Sequence, residues 1–226
     1  MTISMELMDH AGSDQAVANA ARVSFAAKGE WNDNPEGYDD MRMEKLIEYL
    51  AKHKHLCVFR HNMVTIRCKA PIFLMRQLGK HQAGLTWSEV SRRYVSTEPE
   101  FYYPEVWRAA PEGSIKQGSS AEGVTQDITI NGVTAPVEQV VPCIIDDCVE
   151  LYNKMLEAKV APELARIVLP QSMVSEWVWT GNILAFAHVY RERIASGAQE
   201  EAKIFARQLD EVIRPLFPVS WTALVD

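Results

Sequence analysis

The spacing of apolar residues along the chain predicts most of its elements. Met43, Leu46, Ile47 and Leu50 recur at helical spacing and set an amphipathic helix over 41–53. Val141, Ile144, Ile145, Cys148, Leu151, Tyr152 and Leu156 do the same over 140–158. Two stretches alternate instead. Val64, Ile66 and Cys68 stand against Thr65, Arg67 and Lys69, which predicts a half-buried strand over 62–69. Met173, Ser175, Trp177 and Trp179 give a second strand over 171–179.

Local signals supply the remainder. Ser13 caps an Ala-rich helix over 14–24, Asn182 caps one over 183–193, and an amphipathic helix follows over 197–214. Pro71 opens a buried helix carrying Ile72, Phe73, Met75 and Leu78, which Gly79 and Gly84 end. A short helix is expected over 162–168, and residues 28–40 read as a loop. Thr125–Ile130, Asn131-Gly132 and Val133-Thr134 read as a small hairpin within 109–138, a segment rich in Gly and Ser that we take as an insertion or flap. Residues 85–94 read as a compact stretch dense in hydrogen-bonding groups. The fold class is therefore α+β, helices packed on a small, mostly antiparallel sheet, in one domain spanning 1–226.

Composition narrows the function classes. The 226 residues are 47% hydrophobic and 23% charged, the balance of a globular chain with a sizeable core. The longest apolar runs, such as Val140–Ile145, fall far short of the ~20 residues of a membrane span. The first residues carry no secretory pattern, so a cytoplasmic location is expected. Cys57, Cys68, Cys143 and Cys148 have no metal-ligand spacing and read as buried thiols in a reducing compartment, and no metal is expected. The net charge of −7 argues against nucleic acid as a partner.

That charge is unevenly placed. Between Arg60 and Arg93 seven cations face one acid, Glu89, a local +6 that leaves −13 for the rest. Within it, a helix continued through Lys80 would stack Arg76 on Lys80 and Gln77 on His81 at i and i+4, an arrangement that favours an anion between the cations. Thr86 to Tyr94 holds three hydroxyls, one carboxylate, two guanidiniums and two aromatics, a density that suits a surface loop or a polar ligand site. Arg166 lies in an apolar helix that ends before Pro170 and must reach a partner or a cleft.

These residues carry a resemblance. Pro71-Ile72-Phe73-(x2)-Arg76-Gln77, Lys80-His81 and Ser88-Glu89-(x)-Ser91-(x)-Arg93-Tyr94 resemble the signature of the flavin-dependent thymidylate synthases, Arg-His-Arg-x-x-Ser-x-Asn-Glu-x-Ser-x-Arg-Tyr. Ala21-Arg22-Val23-Ser24, Phe59-Arg60-His61, Ala165-Arg166-(x2)-Leu169-Pro170, Trp179-Thr180-(x)-Asn182 and Arg193 with Ala198-Gln199-(x)-Glu201 resemble further segments, in order, over about 20–215. There are departures: Lys80-His81-Gln82 for Arg-His-Arg, Thr86 for the first Ser, Ser88 for Asn, and one extra residue between His and Glu. Gln82 removes one charge from the flavin contacts, and Lys80 keeps the charge but loses the guanidinium fork.

The resemblance implies reductive methylation of dUMP to dTMP, with methylenetetrahydrofolate as carbon donor and NADPH as hydride source through FAD. It implies a homotetramer with shared active sites. Ser91 and Arg93 are the catalytic residues it implies, Arg93 stabilising an anionic pyrimidine and Ser91 positioning it. Gln77, Glu89, Arg166 and Arg193 complete the dUMP set. Ser24, Lys80, His81, Gln82, Asn182 and His188 face FAD, with Glu89 shared. Two other readings compete: a nucleotide- or phosphate-binding module without catalysis, and a thiol-dependent synthase using Cys143 after Pro142.

Overall fold

A computed structural model describes residues 2–25, 40–95, 97–111 and 118–226. The predicted loop at 28–40 lies outside these, apart from residue 40. Elements follow in the order β1 (Ser4–Ala11), α1 (Asp14–Arg22), α2 (Asp40–Lys52), β2 (Met63–Pro71), α3 (Ile72–Leu78), β3 (Leu85–Glu89), β4 (Ile128–Ile130), β5 (Val133–Ala135), α4 (Val137–Glu157), α5 (Pro162–Ala165), β6 (Val174–Gly181), α6 (Ile183–Ile194), α7 (Glu200–Ile213) and α8 (Pro218–Val225). The main sheet is small and antiparallel, with strand order β1-β2-β6-β3. The expected α+β class holds.

The chain divides into two compact units. One comprises Met1–Thr2, Lys69–Gln77 and Glu89–Glu176; the other comprises Ile3–Cys68, Leu78–Ser88 and Trp177–Asp226.

In the second unit the alternation of β2 buries Val64, Ile66 and Cys68. Trp177 and Trp179 of β6 are fully buried beside Phe205 of α7, with Trp87 of β3 stacked on Trp177 at 4.4 Å. Each buried aromatic contributes roughly 2–3 kcal/mol by removal of apolar surface. Ser13 and Asn182 cap α1 and α6 as the sequence predicts, accepting from the Ala16 and Ala185 amides at 3.3 and 3.0 Å. The C-terminal helix α8 is tied down by buried Asp14, whose carboxylate accepts from the Val219 and Ser220 amides at 2.8 Å each. Those amides have no partner within the helix, so an anion there satisfies them and opposes the helix dipole.

In the first unit the Asn131-Gly132 turn joins β4 to β5, both turn residues at positive φ (52° and 81°) as a type I′ turn requires. The long helix α4 buries Ile145 and Tyr152 but leaves Ile144 and Leu151 exposed.

Three expectations are corrected. The helix after Pro71 stops at Leu78, and Lys80 sits in a turn, so the i, i+4 stacks of Arg76 on Lys80 and Gln77 on His81 do not form. Gly79 ends the helix first, because a residue without Cβ stabilises helix poorly. Residues 85–89, read only as part of a compact polar stretch with a surface loop as one alternative, are a strand. Cys57 and Cys143 are exposed, so the buried-thiol reading describes Cys68 and not these two; Cys148 is half-buried.

Candidate active site

Each unit carries a cavity that gathers predicted residues. In the first unit, a cavity of about 290 Å³ is lined by Glu89, Ser91, Arg92, Arg166 and Ser175 over an apolar floor that includes Ile72 and Met173. The chain reaches it through the end of β3. The Val90 amide donates to the Glu176 carbonyl at 2.9 Å, and the Ser175 hydroxyl donates to the Val90 carbonyl at 3.4 Å. The Ser91 carbonyl then accepts from the Tyr94 and Val95 amides at 3.0 and 3.2 Å, and its hydroxyl accepts from the Arg93 amide at 3.3 Å. That turn fixes Ser91 as an acceptor with its own proton free to donate. No imidazole or carboxylate bonds Ser91 among the described residues, so nothing activates it as a nucleophile.

Arg166 reaches a cleft, as its place before Pro170 predicts; its Nε donates to the Glu163 carbonyl at 3.4 Å. Arg93 is exposed, lies over the Tyr94 ring at 5.3 Å and faces Glu163 at 3.8 Å. Both members of that pair are about half exposed or more, so it is worth only ~0–1 kcal/mol and leaves Arg93 able to turn to a ligand. Arg92 carries no predicted role, yet it lines the cavity and donates to the Thr97 and Glu98 carbonyls, pinning the segment after Ser91. Its signal was only its membership of the basic block. Gln77, at the end of α3, is half-buried in the same unit but does not line the cavity.

In the second unit a cavity of about 330 Å³ is lined by Asn182 and His188, by Leu56 and Arg60, and by Ala83-Gly84. The Leu85 amide donates to the Gln82 carbonyl at 3.3 Å, closing a turn whose third residue, Gly84, has φ +76°. That is a type II turn, which requires Gly there. A Cβ on Gly84 would lie 2.8 Å from the Asn182 side-chain nitrogen, so the glycine also admits that amide to the cavity wall.

His81 sits beside this cavity, its ring edge-on to His188 at 6.0 Å. Its Nε2 accepts from Arg193 Nε at 3.0 Å and Nη2 at 2.8 Å, which assigns the ring proton to Nδ1. Burial lowers the His81 pKa from 6.5 to about 4, aided by the Arg193 and His188 charges and opposed by Glu192. The imidazole is therefore neutral at pH 7. Arg193, predicted with the dUMP set, is thus bonded to a residue predicted with the FAD set, in the second unit. Lys80 and Gln82 are exposed and line neither cavity, and neither does exposed Ser24. Among the described residues no group of three or more His, Cys, Asp and Glu side chains is placed to hold a metal ion. No described helix is long and apolar enough to cross a membrane.

The pattern of the thymidylate synthase complementing protein family matches residues 6–219. The chain belongs to the flavin-dependent thymidylate synthase family. It is 33% identical over 220 residues to a flavin-dependent thymidylate synthase of Thermus thermophilus, covering 97% of this chain and 74% of that one. It is 34% identical to that of Kosmotoga olearia, over 98% of this chain and 90% of the relative. Among solved structures, a UMP/dUMP methylase from Streptomyces cacaoi bound with 5-Br dUMP is similar at a TM-score of 0.78, with 30% identity and 98% and 93% of the two chains covered. The same methylase bound with 5-Br UMP gives a TM-score of 0.80 at 28% identity, over 99% and 93%.

Proposed function

We propose that the chain is a flavin-dependent thymidylate synthase that methylates dUMP to dTMP, using methylenetetrahydrofolate, NADPH and FAD. The observation that carries the reading is the convergence of Glu89, Ser91 and Arg166 on one cavity although Arg166 is more than seventy residues away in sequence. Arg166 supplies a guanidinium for phosphate or carbonyl oxygens, and Glu89 accepts from ring N–H or ribose hydroxyls. Ser91 donates to the pyrimidine from its fixed turn, and Arg93 stabilises negative charge as it develops on the ring. In the second unit the residues present fit a flavin in part: Asn182 offers amide donors, Gly84 leaves the space that a Cβ would fill, and His188 lines the wall. When bound, FAD supplies the hydride taken from NADPH. Lys80, Gln82 and Ser24 remain in the proposed FAD set, and Gln77 and Arg193 in the dUMP set.

The test is an absorption spectrum of the purified protein with and without dUMP, followed by NADPH oxidation. A flavin spectrum perturbed by dUMP, and dTMP formed from it, are expected. A colourless protein that takes up no added FAD overturns the proposal, and binding of dUMP without reaction would leave a nucleotide-binding module. A second reading is favoured by the similar methylase, whose two structures hold a deoxyribonucleotide and a ribonucleotide: this chain accepts UMP as well, which the same assay measures. The proposal extends to one catalytic domain with 109–138 as an insertion or flap, a cytoplasmic location and a homotetramer. Exposed Ile144, Leu151, Leu164 and Ile167 in the first unit support self-association, which light scattering measures as mass.

A further inference from the structure

The cavity of the second unit is cationic in a way the signature does not explain. Helix α6 presents Ala185, His188 and Arg191 to it at three-residue intervals, one stripe of one face. Arg60 closes the short 3-10 turn Leu56–Arg60 and lines the cavity as well. No Asp or Glu lines it. Among the described residues neither Arg60 nor Arg191 makes an ion pair or a hydrogen bond through its side chain. Both are exposed and both line the same cavity of about 330 Å³, so an anion in it meets two guanidiniums that no other charge occupies. The type II turn places Ala83 and Gly84 on the wall and leaves exposed Gln82 off it.

We infer that Arg60 and Arg191 are the anion-binding pair of the flavin cavity, taking the phosphate charge that Gln82, in the signature's third basic position, does not. The assignment rests on the proposed use of FAD. Guanidiniums suit it because their planar forks pair two phosphate oxygens at once. Arg60 and Arg191 thus join Asn182 and His188 as ligand residues of this cavity.

Flavin-stripped protein is titrated with FAD, FMN and riboflavin, following flavin fluorescence. Arg60→Gln and Arg191→Gln should each weaken FAD roughly ten- to a hundredfold, the loss expected of a charged hydrogen bond. Riboflavin, which has no phosphate, should bind both variants as it binds the wild type. Arg191→Lys, which keeps the charge, should hold FAD more tightly than Arg191→Gln, and Gln82→Arg added to Arg60→Gln should recover part of the loss. Unchanged FAD affinity in both Gln variants overturns the assignment. So does an equal loss for riboflavin, or a Lys variant as weak as the Gln variant. A wild-type protein that binds none of the three flavins overturns the proposed function itself.

Discussion

Acidification should weaken the fold through His81, and replacing it with Gln should remove that sensitivity. The neutral ring accepts two Arg193 N–H groups at Nε2 and lies edge-on to His188, so protonation puts a cation directly against the Arg193 guanidinium. The His81 pKa falls from 6.5 to about 4, burial first among the causes and Arg193 second. The sign follows from linkage. A group whose folded pKa is depressed leaves the native state short of a proton that the unfolded chain binds. Stability is therefore full above about 6.5 and declines as pH falls towards 4. At about 1.4 kcal/mol per pH unit, the displacement is worth at most ~3.4 kcal/mol. His81 is only half-buried, so solvent screening reduces this to roughly 1–2 kcal/mol. Gln places a neutral acceptor near the position of Nε2 and cannot be protonated in this range. The assay is thermal unfolding of nucleotide-free protein from pH 8 to 4.5. The wild type should lose ~2–4 °C per kcal/mol more than His81→Gln, with the gap opening below pH 6.5. Parallel profiles for the two proteins, or an NMR titration of His81 centred at or above 6.5, would refute the reasoning.

Three further outcomes follow from the geometry. Gly84→Ala forces a Cβ to within 2.8 Å of the Asn182 amide at a φ of +76°, so stability should fall by ~1–2 kcal/mol and FAD affinity should drop with it, read by unfolding and flavin titration. Arg166→Ala removes a guanidinium from the first unit's cavity and should raise the dUMP KM at least tenfold, while FAD affinity, carried by the second unit's cavity, stays within threefold. Cys143→Ser should leave dTMP formation intact, since this thiol is exposed on α4 and lines neither cavity; loss of activity would revive a thiol-dependent mechanism.

What the sequence could reveal depended on how strongly each position is constrained. Strands β2 and β6 lie in the middle of the order β1-β2-β6-β3, and both were legible from alternation. The strands missed, β1 and β3, are the two edges. An edge strand has one neighbour and is less constrained to alternate. Most of β1 is exposed, so its Met5, Leu7 and Met8 carry no period-2 signal. In β3, Leu85 and Trp87 do alternate with Thr86 and Ser88, but the hydroxyls and Glu89 read as site chemistry and hid the strand. The strand ends at Glu89, and Glu89 and Ser91 line the first unit's cavity. Helix α8 was missed for a different reason. Its eight residues are apolar almost throughout, so no face stands out, and it is fixed by Asp14 some two hundred residues earlier. The site shows the same division. Residue types that carry chemistry were visible as a basic block, and the family resemblance gave them roles. Which cavity each one lines is a tertiary fact. Arg60, Arg92 and Arg191 reach cavity walls because a 3-10 turn, a strand end and a helix stripe happen to aim them there, and no spacing within the sequence encodes those three placements. The proposed pairing of Arg60 with Arg191 would supply, from positions outside the motif, the charge that Gln82 lacks.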